Sequence, residues 1–127
     1  MGNAQNPFQN DHKKVLCVCS AGLLRSPTAA VVLSQPPYNF NTRAVGCVTE
    51  YALIPIDEVL VEWADEIVCM EQSHVDRIQR DILHSGSKTF VVLGIPDRFP
   101  YRDPELVEAI KASYDAKRPD NRNSSEN

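Results

Sequence analysis

Between Lys14 and Pro27 the chain must change from strand to helix with almost no connection. Lys14-Val-Leu-Cys-Val-Cys19 is a short apolar, β-branched run, the composition of a strand buried on both faces of a parallel sheet. Ser26-Pro27 reads as the N-cap and first residue of a helix: serine can accept a first-turn N–H, and proline loses nothing where the helix has no partner for its nitrogen. Only the six residues Ser20 to Arg25 join the two. A strand feeding straight into a helix opens a βα unit and carries the helix's unpaired N–H groups to the strand's carboxyl end.

The remaining sequence repeats that alternation. Asn41 to Val45, closed by Gly46, reads as a second strand, and Pro55 to Glu62 as a short helix with Ile56, Val59 and Leu60 on its inner face. Glu66 to Met70 reads as strand three, Gln72 to His84 as a helix stopped by Ser85-Gly86, and Thr89 to Ile95 as strand four. Pro104 to Arg118 reads as a last helix with Leu106, Val107 and Ile110 inward, ended by Pro119. At 127 residues this predicts one α/β domain, a doubly wound four-stranded parallel sheet of order 2-1-3-4 flanked by helices, over residues 13–118. Residues 1–12 are expected to be a flexible leader and 119–127 a disordered tail. Ligands on such sheets bind beyond the strands' carboxyl ends, where the segment after Cys19 falls.

A net charge of −4 offers no basic footprint for nucleic acid or anionic membrane. No stretch is apolar and long enough to span a bilayer, and Asn6 stands where a myristoylation signal after Met-Gly needs Ser or Thr, so the expected location is cytoplasmic. The cysteines at 17, 19, 47 and 69 form no CxxC pair and no cluster with His12, His74 or His84, so reduced thiols and no metal are expected.

The segment Cys19-Ser20-Ala21-Gly22-Leu23-Leu24-Arg25-Ser26 carries the chemistry. A loop between strand and helix N-terminus collects inward-pointing amides and the positive end of the helix dipole, which suit a tetrahedral dianion and favour thiolate over thiol. Gly22 supplies the freedom such a nest needs, Arg25 offers a planar fork for two phosphate oxygens, and Ser26 can both cap the helix and bond the sulfur. Cys17, two residues earlier in the strand, has Leu23 rather than an arginine at +6 and is assigned to packing, as is Cys69. A thiolate that attacks phosphorus needs an acid for the departing oxygen and a base for water. Asp97, just past strand four, is the first choice, and Asp103, which also reads as the N-cap before Pro104, is the competitor.

These residues resemble the low-molecular-weight protein tyrosine phosphatase family. Val15-Leu-Cys-Val-Cys19-Ser-Ala-Gly-Leu-Leu-Arg25-Ser26-Pro27 is similar to its phosphate loop, Ala64-Asp-Glu-Ile-Val-Cys-Met70-Glu-Gln-Ser73 to its third strand and following turn, and the segment ending at Asp97 to its general-acid loop. The resemblance implies hydrolysis of phosphate monoesters, phosphotyrosine or a similar aryl phosphate, through a phosphocysteine on Cys19. Arg25 and the amides of residues 20–26 would hold the equatorial oxygens and Asp97 would serve as acid and then base, with no cofactor. Phosphorylated proteins or small phosphate esters are the implied partners. The chain departs from the family at Ala21-Gly22, at Leu24, where a second cysteine is usual, in a shortened stretch from Gly46 to Trp63, and at Arg98-Phe-Pro-Tyr101 after the acid.

Three other readings use the same loop. A phosphocysteine carrier resembling sugar-phosphotransferase IIB components would need neither Arg25 nor Asp97. An arsenate reductase would need Cys47 and Cys69 as a thiol relay, and a non-catalytic phosphate-binding protein would need no acid at all. Trp63 is assigned to anchoring the second helix in preference to lining the cleft, and His74 and His84 to surface or capping roles.

Overall fold

The computed structural model describes residues 13–20, 25–48, 52, 54–82, 85–96 and 103–117. The expected leader 1–12, the tail 119–127 and the ends of several elements named above lie outside the described residues. Four strands, β1 (Lys14–Cys19), β2 (Asn41–Gly46), β3 (Glu66–Cys69) and β4 (Thr89–Val92), form one parallel sheet of order β2-β1-β3-β4, as the alternation predicts. Helices α1 (Arg25–Ser34), α2 (Glu58–Trp63), α3 (Gln72–Asp81) and α4 (Pro104–Lys117) connect and flank them. β1 is central, and Val15, Leu16, Cys17 and Val18 are fully buried, which explains why its sequence is continuously apolar rather than alternating.

Two cores follow from the two faces. Val15, Cys17 and Cys19 pack with α1 and α4 through Ala29, Leu33, Leu106, Ile110 and Tyr114. Leu16, Val18, Val45 and Ile67 pack on the other face with Val61 of α2 and Val75 and Ile78 of α3. Each fully buried aliphatic side chain contributes about 1.5–3 kcal/mol. Among the described residues, no helix is long and apolar enough to cross a membrane.

The second helix differs from expectation. Residues 54–56 continue beside β2 instead, with Gly46 N–H on Ile54 O at 2.9 Å and Ile56 N–H on Gly46 O at 3.0 Å, so the helix cannot begin at Pro55. It begins after Asp57, whose Oδ1 caps Leu60 N–H at 2.8 Å. The shift rotates the buried stripe: Val61 is inward, and Val59, expected inside, is 74% exposed. β4 is also shorter than predicted, because Gly94 takes a left-handed φ of +71° and breaks the ladder; Leu93 and Ile95 still donate to Cys69 O and Met70 O. Trp63 is half-buried at the rim of the second core with the Arg43 guanidinium 4.7 Å from its ring centre.

The end of the sheet remote from the loop is closed by a polar pair inside the aromatic cluster of Tyr38, Phe40 and Tyr114. Glu66 is 2% exposed, accepts from Tyr114 OH at 2.7 Å and meets Lys13 Nζ at 3.4 Å. Tyr114→Phe removes the better of these donors from a buried carboxylate. It is expected to lower stability by about 1–3 kcal/mol, several degrees in thermal midpoint. Circular dichroism melting checks this, and an unchanged midpoint shows that Lys13 alone suffices.

Candidate functional site

Parallel pairing brings the carboxyl ends of all four strands abreast. Cys47 N–H donates to Cys19 O at 2.9 Å and Val48 N–H to Ser20 O at 3.0 Å on one side of β1. On the other side Met70 N–H donates to Val18 O at 3.0 Å, and Ile95 N–H to Met70 O at 2.8 Å. Cys19, Ser20, Glu71 and Ile95, far apart in sequence, thereby share one edge.

Cys19 sits at the last position of β1, 3% exposed, with Sγ 3.2 Å from Ser26 Oγ. Ser26 Oγ in turn lies 3.2 Å from Val45 O. A hydroxyl has one proton. With Cys19 as a thiol, S–H donates to Ser26 and Ser26 donates to Val45; with Cys19 as a thiolate, the Ser26 proton turns to the sulfur. Ser26 can thus follow the charge of the Cys19 sulfur. The expected capping role is not among its described bonds: α1 begins at Arg25, and the fully buried hydroxyl is committed to the strand ends.

Arg25 opens α1 and is 2% exposed. A guanidinium so deep must be paired. Its Nη1 donates to Glu71 Oε2 and, at 2.9 Å, to Ile95 O. The helix start is thereby tied both to the end of β3 and to the segment after β4. Glu71, quoted above only as part of a turn, is one of the residues whose part in the site sequence reasoning missed; the signal was a carboxylate directly after a buried strand on the ligand edge. Glu71→Gln keeps the shape and removes the charge. Because Glu71 is 41% exposed, the stability loss is expected to be about 1–2 kcal/mol rather than that of a fully buried pair. Affinity for inorganic phosphate is expected to fall roughly tenfold as Arg25 loses its orientation, measured by calorimetric titration; unaltered affinity shows that the orientation of Arg25 does not depend on Glu71.

Of the surface or capping roles expected for His74 the structure shows the capping one, with the ring buried rather than at the surface, and adds a contact that was not expected. His74 is 3% exposed and completes a capping arrangement at the start of α3: Glu71 N–H donates to His74 Nδ1 and His74 N–H to Glu71 O, both at 3.1 Å. Its Nε2 lies 3.1 Å from Ser20 Oγ. Ser20, His74, Arg77 and Cys47 line a cavity of about 310 Å³. A larger one of about 630 Å³, between α2 and α3, includes Cys47 and Arg77 but not Ser20; neither cavity is lined by Cys19 or Arg25, and the smaller adjoins the candidate site through Ser20, the residue next to Cys19.

The other thiols are set apart. Burial pushes Cys17 and Cys69 far up from the ordinary thiol range, helped at Cys17 by the Glu66 carboxylate and at Cys69 by Cys47. Burial also raises Cys47, partly opposed by Arg77. Cys47 and Cys69 belong to the core on the opposite face of the sheet from Cys19, an arrangement ill-suited to a thiol relay. Among the described residues, no three His, Cys, Asp or Glu side chains form a metal-binding group. Asp103 caps α4 through Glu105 N–H on Oδ1 at 2.7 Å, as the Asp-Pro pair predicts. Ala21, Gly22, Leu23, Leu24 and Asp97 lie outside the described residues.

No family model and no curated protein matches the chain. Solved structures do. Vibrio vulnificus Wzb in complex with benzylphosphonate superimposes with a TM-score of 0.64 at 20% identity over 82% of this chain and 93% of its own. The tyrosine phosphatase Wzb from Escherichia coli K30 in complex with phosphate gives 0.62 at 19% identity, covering 83% and 95%. The YwlE arginine phosphatase from Geobacillus stearothermophilus gives 0.54 at 19% identity, covering 82% and 84%. The chain has the fold of these proteins, which is the fold that the phosphate-loop resemblance implies.

Proposed function

We propose that the chain hydrolyses phosphate monoesters through a phosphocysteine on Cys19. The observation that carries this reading is the buried Arg25 guanidinium opening α1, six residues after a cysteine at the end of the central strand whose sulfur is within bonding reach of Ser26. The shared fold with tyrosine and arginine phosphatases supports it.

The Cys19 thiolate attacks phosphorus in line, an S–P bond forms, and the P–O bond to the leaving group breaks. The leaving oxygen takes a proton from Asp97. Arg25 and the amides of the loop residues Ser20, Ala21, Gly22, Leu23, Leu24 and Ser26 hold the three equatorial oxygens, whose charge they neutralise more strongly in a site shielded from water. Water then gives a proton to Asp97 as its oxygen attacks phosphorus. The S–P bond breaks, inorganic phosphate leaves, and the returning thiolate is met by the Ser26 hydroxyl proton. Asp97 follows two residues after Ile95, whose carbonyl accepts from Arg25; two residues of chain reach at most about 7 Å. That linkage supports Asp97 over Asp103, which is engaged at a helix cap.

The fold shared with a tyrosine phosphatase supports an aryl phosphate substrate. The site is expected to accept aryl phosphates, phosphotyrosine among them. Release of phosphate from para-nitrophenyl phosphate by the wild-type chain is the expected result, and a purified, folded chain that releases none overturns the proposal. Arg25 speaks against a phosphocysteine carrier, which must keep its phosphoryl group for transfer; stable labelling of Cys19 by a phosphorylated carrier protein, without hydrolysis, is the result that favours that alternative.

A further inference from the structure

We infer that His74 is a positioning residue for the phosphate loop, acting through the hydroxyl of Ser20. The proton count leads there. Glu71 N–H points at Nδ1, so in the neutral ring Nδ1 is the acceptor and the ring proton lies on Nε2. Nε2–H then donates to Ser20 Oγ at 3.1 Å, and the Ser20 hydroxyl proton, unused by the imidazole, serves an acceptor in the cavity that the two residues line together. The chain of donors runs from a helix-start amide through the imidazole to the residue next to the nucleophile.

Ser20 is held from both sides. Val48 N–H takes its carbonyl at 3.0 Å and His74 takes its side chain, so the first residue of the loop has a set orientation before any anion arrives. The last residue, Arg25, is held by Glu71 from the same turn. One turn at the start of α3 thus secures both ends of the loop, and the ligand served by the Ser20 proton is an oxygen of the bound phosphate ester. Preorganised donors of this kind need no reordering when the anion binds. The inference rests on the phosphate-binding part of the proposed function but not on turnover.

His74→Asn separates positioning from capping: the shorter amide can still accept Glu71 N–H through Oδ1 but does not reach Ser20. The test is a double-mutant cycle of Ser20→Ala and His74→Asn in the full chain, read by the dissociation constant of inorganic phosphate, by kcat and KM on para-nitrophenyl phosphate, and by thermal midpoint. Each single variant is expected to weaken phosphate binding and raise KM about tenfold, with the double variant no worse than either. His74→Asn is expected to melt close to wild type. Nitrogen-detected imidazole spectra of the wild type are expected to show the proton on Nε2. Unchanged phosphate affinity in His74→Asn, additive losses in the double variant, or a proton on Nδ1 each overturn the inference. A wild-type chain that binds phosphate without hydrolysing the ester defeats the catalytic proposal alone, and the phosphate constants still decide the role of His74.

Discussion

Cys19→Ser is expected to fold like the wild type, to bind inorganic phosphate and to hydrolyse no ester. The substitution exchanges sulfur for oxygen at a 3%-exposed position whose described side-chain bond is with Ser26 Oγ, a contact a hydroxyl can also make, so stability changes little. Chemistry changes greatly. A serine hydroxyl is a far weaker nucleophile than a thiolate, and desolvation raises the thiols of Cys17, Cys47 and Cys69 above their ordinary range, which keeps them protonated near neutral pH. Turnover is expected to fall by roughly four orders of magnitude or more. Phosphate release from para-nitrophenyl phosphate beside a melting curve measures both halves. Residual activity above about one per cent in Cys19→Ser refutes the phosphocysteine route, and loss of folding shows that the thiol is a packing element first. The same pair distinguishes a phosphate-binding protein without catalysis, for which wild type and variant are equally inactive.

The second large effect is expected from Asp97→Asn. A group that protonates the leaving oxygen contributes about 10²–10⁴ in rate, and the amide cannot supply that proton. The loss should be greater for phenyl phosphate than for para-nitrophenyl phosphate, because a poorer leaving group depends more on the acid. Asp103→Asn is the internal comparison. Its Oδ1 accepts Glu105 N–H at 2.7 Å, and asparagine caps helices as well as aspartate does, so both rate and stability are expected to stay close to wild type. If Asp103→Asn instead loses the rate and the leaving-group dependence moves with it, the acid assignment is reversed.

The framework that carries the candidate site is legible in the residue order. The apolar run ending at Cys19, the spacing to Arg25 and the Pro27 helix start predicted a βα unit with a loop at the ligand edge, and the strand–helix alternation predicted the order β2-β1-β3-β4. These are local or topological consequences: burial on both faces demands an unbroken apolar strand, and right-handed crossovers leave few ways to assemble the sheet. Errors came where tertiary contacts outweighed local preference. Pro55 looked like a helix start, yet residues 54–56 find a backbone partner in Gly46, and Asp57 starts the helix instead. Ser26 looked like a cap, yet burial between β1 and β2 gives its hydroxyl better-placed partners in Cys19 and Val45.

From residue order alone one reads that Cys19 and Arg25 flank a short loop at the end of a buried strand, because strand burial, helix-start chemistry and spacing are properties of contiguous residues. Which groups hold that loop in place is settled by folding: Glu71 lies 46 residues from Arg25, His74 54 from Ser20 and Ile95 70 from Arg25. Their partnership arises because parallel strands set their carboxyl ends side by side, and a guanidinium taken out of water there must find its counter-charge on whichever neighbouring strand end supplies one.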